Sequence, residues 1–175
     1  LALEFACYSL LNSFSQACTT FVGQNSGAGN LERCKKVLKV ALIEDAIITV
    51  VMIVLVVWQG RTILTLFSSD AEVLDIAYVR VCTLFPAYVF SMVYENMSGY
   101  LRGFGISALP SALTAIGVCG TRFFWALVVF PAHPTFATVM LAYPVSFSTT
   151  ALLMAGALAY CRPAQQAMHL STATS

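Results

Sequence analysis

Five long apolar stretches dominate this sequence, near residues 3–22, 40–58, 76–101, 109–130 and 135–160. Each matches the roughly 20 helical residues needed to cross a hydrocarbon core of about 30 Å. Hydrocarbon offers no partner for backbone N–H and C=O groups, so such stretches can cross it only as helices. The β-branched run Val50–Val57 would suit a strand in water, but inside a longer uncharged segment it reads as lipid-facing helix. Of the 175 residues, 59% are hydrophobic and 10% charged, against about 25% charged in soluble domains. A soluble globule of this length cannot bury so much apolar surface, so lipid must solvate much of it. The expected class is an all-α integral membrane protein of five transmembrane helices plus short interfacial helices.

Several function classes drop out early. The formal net charge of +1 supplies no basic field for nucleic acid. The cysteines (Cys7, Cys18, Cys34, Cys82, Cys119, Cys161) stand singly, and His133 and His169 sit at no metal-ligand spacing, so no resident metal is expected. The cysteines read as small apolar fillers. No Ser-His-Asp or Cys-His constellation offers an enzyme catalyst, and no cofactor motif is visible. The chain opens at Leu1 directly in an apolar run, which reads as a truncation rather than a signal peptide.

Loop charges suggest an orientation. With five spans, Arg33, Lys35, Lys36, Lys39, Arg102 and Arg162 fall on one side and Arg61 and Arg80 on the other. The positive-inside rule then places the C-terminus in the cytoplasm, with the first helix running inward. The loop 23–39 is expected to hold a basic interfacial helix starting at Asn30, and Gly60–Phe67 to lie along the outer surface. Ser69-Asp70-Ala71-Glu72 offers a capping-box-like start to the third span. The tail 162–175 is polar and expected to be disordered.

Ionisable groups within the spans need an account, because burying one in lipid is costly unless it faces protein or water. Helical spacing puts Tyr88, Ser91, Glu95, Ser98, Gly99 and Arg102 on one face, a polar stripe with one carboxylate. Glu95 lies about 10 Å along the axis from Arg102, too far for an obligatory pair. It is the leading candidate for binding H⁺, Na⁺ or a cationic substrate; the alternative is a structural carboxylate holding helices together. Glu4, Tyr8, Asn12 and Gln16 form a second stripe at fourfold spacing, with the same two readings. Arg122, inside the fourth span, could tune a carboxylate or clamp a backbone. Glu44 and Asp45 lie just past Lys39, where snorkelling towards basic neighbours would accommodate them. Gly99-x-x-x-Gly103 permits close helix approach, and Pro86, Pro110 and Pro144 invite kinks.

The glycine-rich stretch Thr20–Asn30 lacks both the third glycine of a dinucleotide fingerprint and the Gly-Lys-Ser/Thr of a phosphate loop, so it reads as a tight turn after a membrane helix. With Leu31-Glu32-Arg33 it closely resembles the loop between paired helices in the multidrug and toxic compound extrusion (MATE) family. Asn12–Thr19, Ser98–Gly105, Gly117–Arg122, Phe130–Pro134 and Tyr143–Ser146 continue the likeness in order along nearly the whole chain. The resemblance implies helices eight to twelve of a two-lobe, twelve-helix inverted transporter, with residues 1–161 in the C-terminal lobe. It further implies a plasma-membrane antiporter exporting organic cations or drugs against H⁺ or Na⁺, monomeric, with the missing N-terminal lobe as its essential partner. A lipid-linked saccharide flippase of the same superfamily is the alternative, though Arg122 alone makes no basic cavity; a non-transporting membrane interaction protein is another.

Overall fold

The computed structural model describes residues 2–66 and 70–163. They form five long helices: α1 (Ala2–Gly27), α2 (Leu31–Thr65), α3 (Ala71–Gly103), α4 (Ala108–Ala132) and α5 (Phe136–Cys161). The four from α2 to α5 are long and apolar enough to cross a membrane. At 26 residues, α1 reaches about 39 Å at 1.5 Å per residue. Its polar stripe keeps it out of the group defined by apolarity.

The helices are longer than their apolar cores, and two expectations fall with that. The basic segment from Asn30 is the first turns of α2 itself, not a separate interfacial helix. Asn30 occupies the N-cap position without a side-chain cap bond. Its start is set instead by the left-handed Gly29, at φ 75°, a conformation that only glycine adopts without cost. The stretch from Gly60 likewise continues α2 to Thr65 rather than lying along a surface, and Phe67 is outside the described residues. Lys, Arg and Glu are good helix formers, so the change from apolar to charged marks the end of a lipid-facing stretch but not of the helix. Among the described residues no short separate helix remains. Asp70 caps α3, its side chain accepting from the Glu72 N–H at 3.0 Å; Ser69 and the tail beyond residue 163 lie outside the described residues.

α3 is the axis, touched by α1, α2 and α5. Phe85, Leu101 and Met154 are fully buried around it, with Tyr88, Tyr94 and Phe147 stacked between α3 and α5. α4 packs mainly on α5, and two stretches of it (Ala115–Gly120 and Trp125–Val129) are π-helical. Outward faces carry Phe5, Trp58, Leu127 and Tyr160, a surface suited to lipid. Pro86 and Pro144 stand inside α3 and α5, where each removes one backbone donor.

Small residues set the helix spacing. A Cβ on Gly99 would lie 2.4 Å from the Ser15 carbonyl oxygen, and one on Gly103 2.6 Å from the Val22 Cβ. The backbones of α1 and α3 therefore approach as closely as the G-x-x-x-G spacing permits. Gly99→Ala is expected to destabilise the protein by about 1–3 kcal/mol through overpacking. Gly156→Ala, whose added Cβ meets nothing within 4 Å, serves as the neutral control. Thermal unfolding in detergent checks the difference.

Candidate functional site

α1 and α3 run in the same direction and meet along a polar seam. At one end, Glu4 accepts from Arg80 Nε at 2.5 Å and from Nη2 at 2.9 Å. One turn on, the Tyr8 hydroxyl donates to Glu95 Oε1 at 2.6 Å. Ser15 Oγ donates to the Glu95 carbonyl at 2.6 Å and accepts from Arg102 Nη2 at 2.9 Å. Thr19 Oγ1 closes the seam on the Gly99 carbonyl at 3.0 Å. Glu4, Tyr8, Ser15 and Thr19 of α1 thus each meet a group on α3, the kind of interhelical polar contact that holds membrane helices together.

Glu95 is held but not neutralised. It is half-buried, its side chain takes the Tyr8 hydroxyl, and among the described residues no cation pairs with it. Glu4 is different: Arg80 grips it in a bidentate pair, which leaves it little freedom to take an ion of its own. Among the described residues Arg122 pairs with no carboxylate. Its Nε donates to Ser146 Oγ at 3.2 Å, and its guanidinium lies over Tyr143 (4.4 Å to the centroid) and Phe147 (5.4 Å). That makes it neither a backbone clamp nor a direct tuner of Glu95. Tyr143 stands between two guanidinia, with Arg80 5.8 Å from its ring centre, and Tyr94 lies within electrostatic reach of both Glu95 and Arg122. The result is a belt of alternating charged and aromatic groups across α1, α3, α4 and α5. Beside it, a groove of about 250 Å³ is lined by Arg122, Trp125 and Tyr143.

The other sequence-predicted residues are dispersed. Tyr88 and Ser91 are buried in the bundle core: Tyr88 packs edge-on to Phe85 at 5.2 Å, and Ser91 Oγ donates to the Tyr94 hydroxyl at 3.4 Å. Periodicity placed them on the face of Glu95, but α3 is surrounded by helices and most of that face is covered. Asn12 is half-buried next to Tyr8, one turn along α1, and its Oδ1 accepts from Gln16 Nε2 at 2.9 Å. The structure therefore brings Glu95 and Tyr8 together with Asn12 beside Tyr8, sets Glu4 with Arg80, and leaves Tyr88, Ser91 and Arg122 without direct contact to Glu95.

Sequence reasoning missed Arg80, Tyr143 and, most of all, Asp45. Glu44 and Asp45 part ways: Glu44 is exposed on a groove between α1 and α2, whereas Asp45 is fully buried. Asp45 Oδ2 accepts from Asn96 Nδ2 at 2.5 Å. Snorkelling towards the basic turn does not describe it. The signal was present, since Ala41, Asp45, Thr49, Met52 and Val56 recur at helical spacing and form the buried face of α2.

The MatE family profile matches residues 2–128. This chain belongs to the MatE family. That family is one of membrane transporters, not enzymes. The chain is 26% identical over 147 residues to the probable multidrug resistance protein YoeA of Bacillus subtilis, covering 82% of this chain and 31% of that protein. It is 31% identical over 119 residues to multidrug and toxin extrusion protein 1 of Oryctolagus cuniculus, covering 66% of this chain and 20% of that one. The fold matches the crystal structure of the eukaryotic MATE transporter AtDTX14 with a TM-score of 0.76 at 20% identity, over 95% of this chain and 38% of that one. The described residues thus form an all-α MatE membrane fold, and the chain spans less than a third of the curated relatives YoeA and the rabbit extrusion protein.

The Glu4–Arg80 pair gives a direct test. Removing one partner alone leaves a half-buried charge unpaired, at a cost on the order of 3 kcal/mol. Glu4→Gln and Arg80→Gln singly should each destabilise the bundle, and the double substitution should cost less than the sum. A double-mutant cycle on unfolding free energy reads that coupling.

Proposed function

We propose that this chain is part of a secondary active antiporter that exports organic cations or drugs in exchange for H⁺ or Na⁺. One observation carries the reading: Glu95, a half-buried carboxylate inside a membrane-length helix, is fixed by the Tyr8 hydroxyl yet has no cationic partner among the described residues. A carboxylate so placed attracts a cation, and the ring of Tyr8 offers cation–π surface beside it. The relatives' names, multidrug resistance and toxin extrusion, point the same way.

In this reading Glu95 is protonated or holds Na⁺ in one state, and an organic cation takes its place in another. One carboxylate in a low-dielectric site cannot hold two cations without repulsion, so the fluxes are coupled. The other wall of the cavity comes from the N-terminal lobe of the same polypeptide, outside this chain, and alternating access is a rocking of one lobe against the other. The complete protein is monomeric and sits in the plasma membrane with the end of this chain in the cytoplasm. The gathering of Lys35, Lys39 and Arg162 around one groove supports that orientation, because it puts the basic ends of α2 and α5 together.

Efflux of an organic cation from vesicles carrying the complete transporter, under imposed H⁺ or Na⁺ gradients, tests this. Glu95→Gln is expected to abolish gradient-driven efflux while the protein stays folded. Efflux at the wild-type rate from Glu95→Gln would overturn the proposal.

A further inference from the structure

Behind Glu95, on the side of α3 that faces α2, lies a second polar cluster that the seam does not use. Asp45 has no exposed surface, and neither do Thr49 and Asn96 beside it. Asp45 Oδ2 takes one firm hydrogen bond, from Asn96 Nδ2 at 2.5 Å. The second donor, Thr49 Oγ1, stands 3.4 Å from Oδ1, too far to hold it firmly. The two N–H groups of the Asn96 amide are both used, one on Asp45 and the other on the Met92 carbonyl at 2.9 Å, so Asn96 has no further donor to offer. Its own Oδ1 is buried with no donor at all.

The surroundings do not make good this deficit. From α3, Asn96 and Glu95 face Asp45, and Glu95 adds negative potential. From α1, the titratable groups are committed elsewhere: Glu4 to Arg80, Tyr8 to Glu95, and Cys18 to the apolar cluster near Cys34. The nearest arginine along the seam, Arg102, bonds Ser15. Among the described residues no Lys, Arg or His pairs with Asp45. A buried carboxylate and a buried amide oxygen, side by side, thus lack donors. A carboxylate desolvated without a counter-charge costs several kcal/mol, and a native fold keeps such a group where something electropositive joins it. The missing group is small, because the cluster is closed, and hard, because Asp45, Thr49 and Asn96 offer it oxygens.

We propose that Asp45, Thr49 and Asn96 form a site for a small cation, a proton or Na⁺, sealed between α2 and α3 and coupled through the electric field to Glu95. The inference rests on the reading of Glu95 as the carboxylate that takes the organic cation. It changes the cycle proposed above in one respect: the exported cation still binds at Glu95, but the coupling ion binds one helix face away at Asp45 instead of on Glu95 itself. Two cations on neighbouring carboxylates repel strongly in a low dielectric, so each weakens the other's binding by the same factor. Neither has to occupy the other's atoms.

The test is equilibrium binding of ethidium, a planar aromatic cation, to the purified complete transporter. One series varies pH at fixed Na⁺, the other varies Na⁺ at fixed pH. In the wild type, one series should show the apparent Kd rising by up to about tenfold for a tenfold rise in the ion, and the responding series identifies the ion. Asp45→Asn should still bind ethidium, with an apparent Kd flat in both series. The exchanged pair Asp45→Asn with Asn96→Asp returns a carboxylate to the cluster and should restore the slope. Should Asp45→Asn fail to fold, the exchanged pair decides, a flat response from the folded protein overturning the proposal. A wild-type slope in Asp45→Asn also overturns it, as does a wild type that is flat in both series. Glu95→Gln keeps the two readings apart: loss of ethidium binding there, with the wild-type slope kept in Asp45→Asn, sinks the Asp45 site alone, whereas wild-type ethidium binding in Glu95→Gln sinks the reading of Glu95.

Discussion

A polar group carried into hydrocarbon has to find its partner inside the protein, and the bundle is organised around that constraint. α3 carries Arg80, Glu95, Asn96, Ser98 and Arg102 through a stretch that is largely apolar. α1 answers one side of it with Glu4, Tyr8, Ser15 and Thr19, and α2 answers another with Asp45 and Thr49. Gly99 and Gly103 make the answer possible, because only a helix without side chains at those points comes near enough for Ser15 and Thr19 to reach the carbonyls of α3. Close approach and polar satisfaction are one arrangement seen from two sides.

Within that arrangement the groups differ in how completely they are satisfied. Glu4 has a full ionic partner, which makes it a strut. Glu95 has one hydroxyl and a partly open side, which makes it available. Asp45 and Asn96 are closed off but short of donors. This gradient from strut to open carboxylate to sealed cluster is what the proposed antiport calls for, in which ion and cargo each find a place whose affinity the other can alter.

Much of the fold was legible in the sequence, and the reason is physical. Spanning length and apolarity are one-dimensional properties, so the five helices could be counted from composition along the chain. Their ends could not, because the charged turns at Arg33–Lys39 and the stretch after Gly60 are as competent to be helical as the apolar residues they extend. Periodicity also identified Glu95 and Tyr8 as members of inward stripes. It could not say that the two touch, since the register of α1 against α3 is a matter of packing. The same limit explains Tyr88 and Ser91, placed on the right face of a helix that turned out to be surrounded. Asp45 was lost for another reason: beside Glu44 and a basic turn it looked like an interfacial charge, whereas the spacing of Ala41, Thr49 and Met52 assigns it to the buried face.

The proposed antiport requires Glu95 to be the carboxylate that an exported cation meets. The most direct measurement is a structure of the complete transporter with a bromine-labelled organic cation, located by its anomalous signal. The label is expected beside Glu95 and Tyr8 on the α1–α3 seam. A label bound at a distance, with Glu95 still closed on Tyr8 and turned from any cavity, would contradict it.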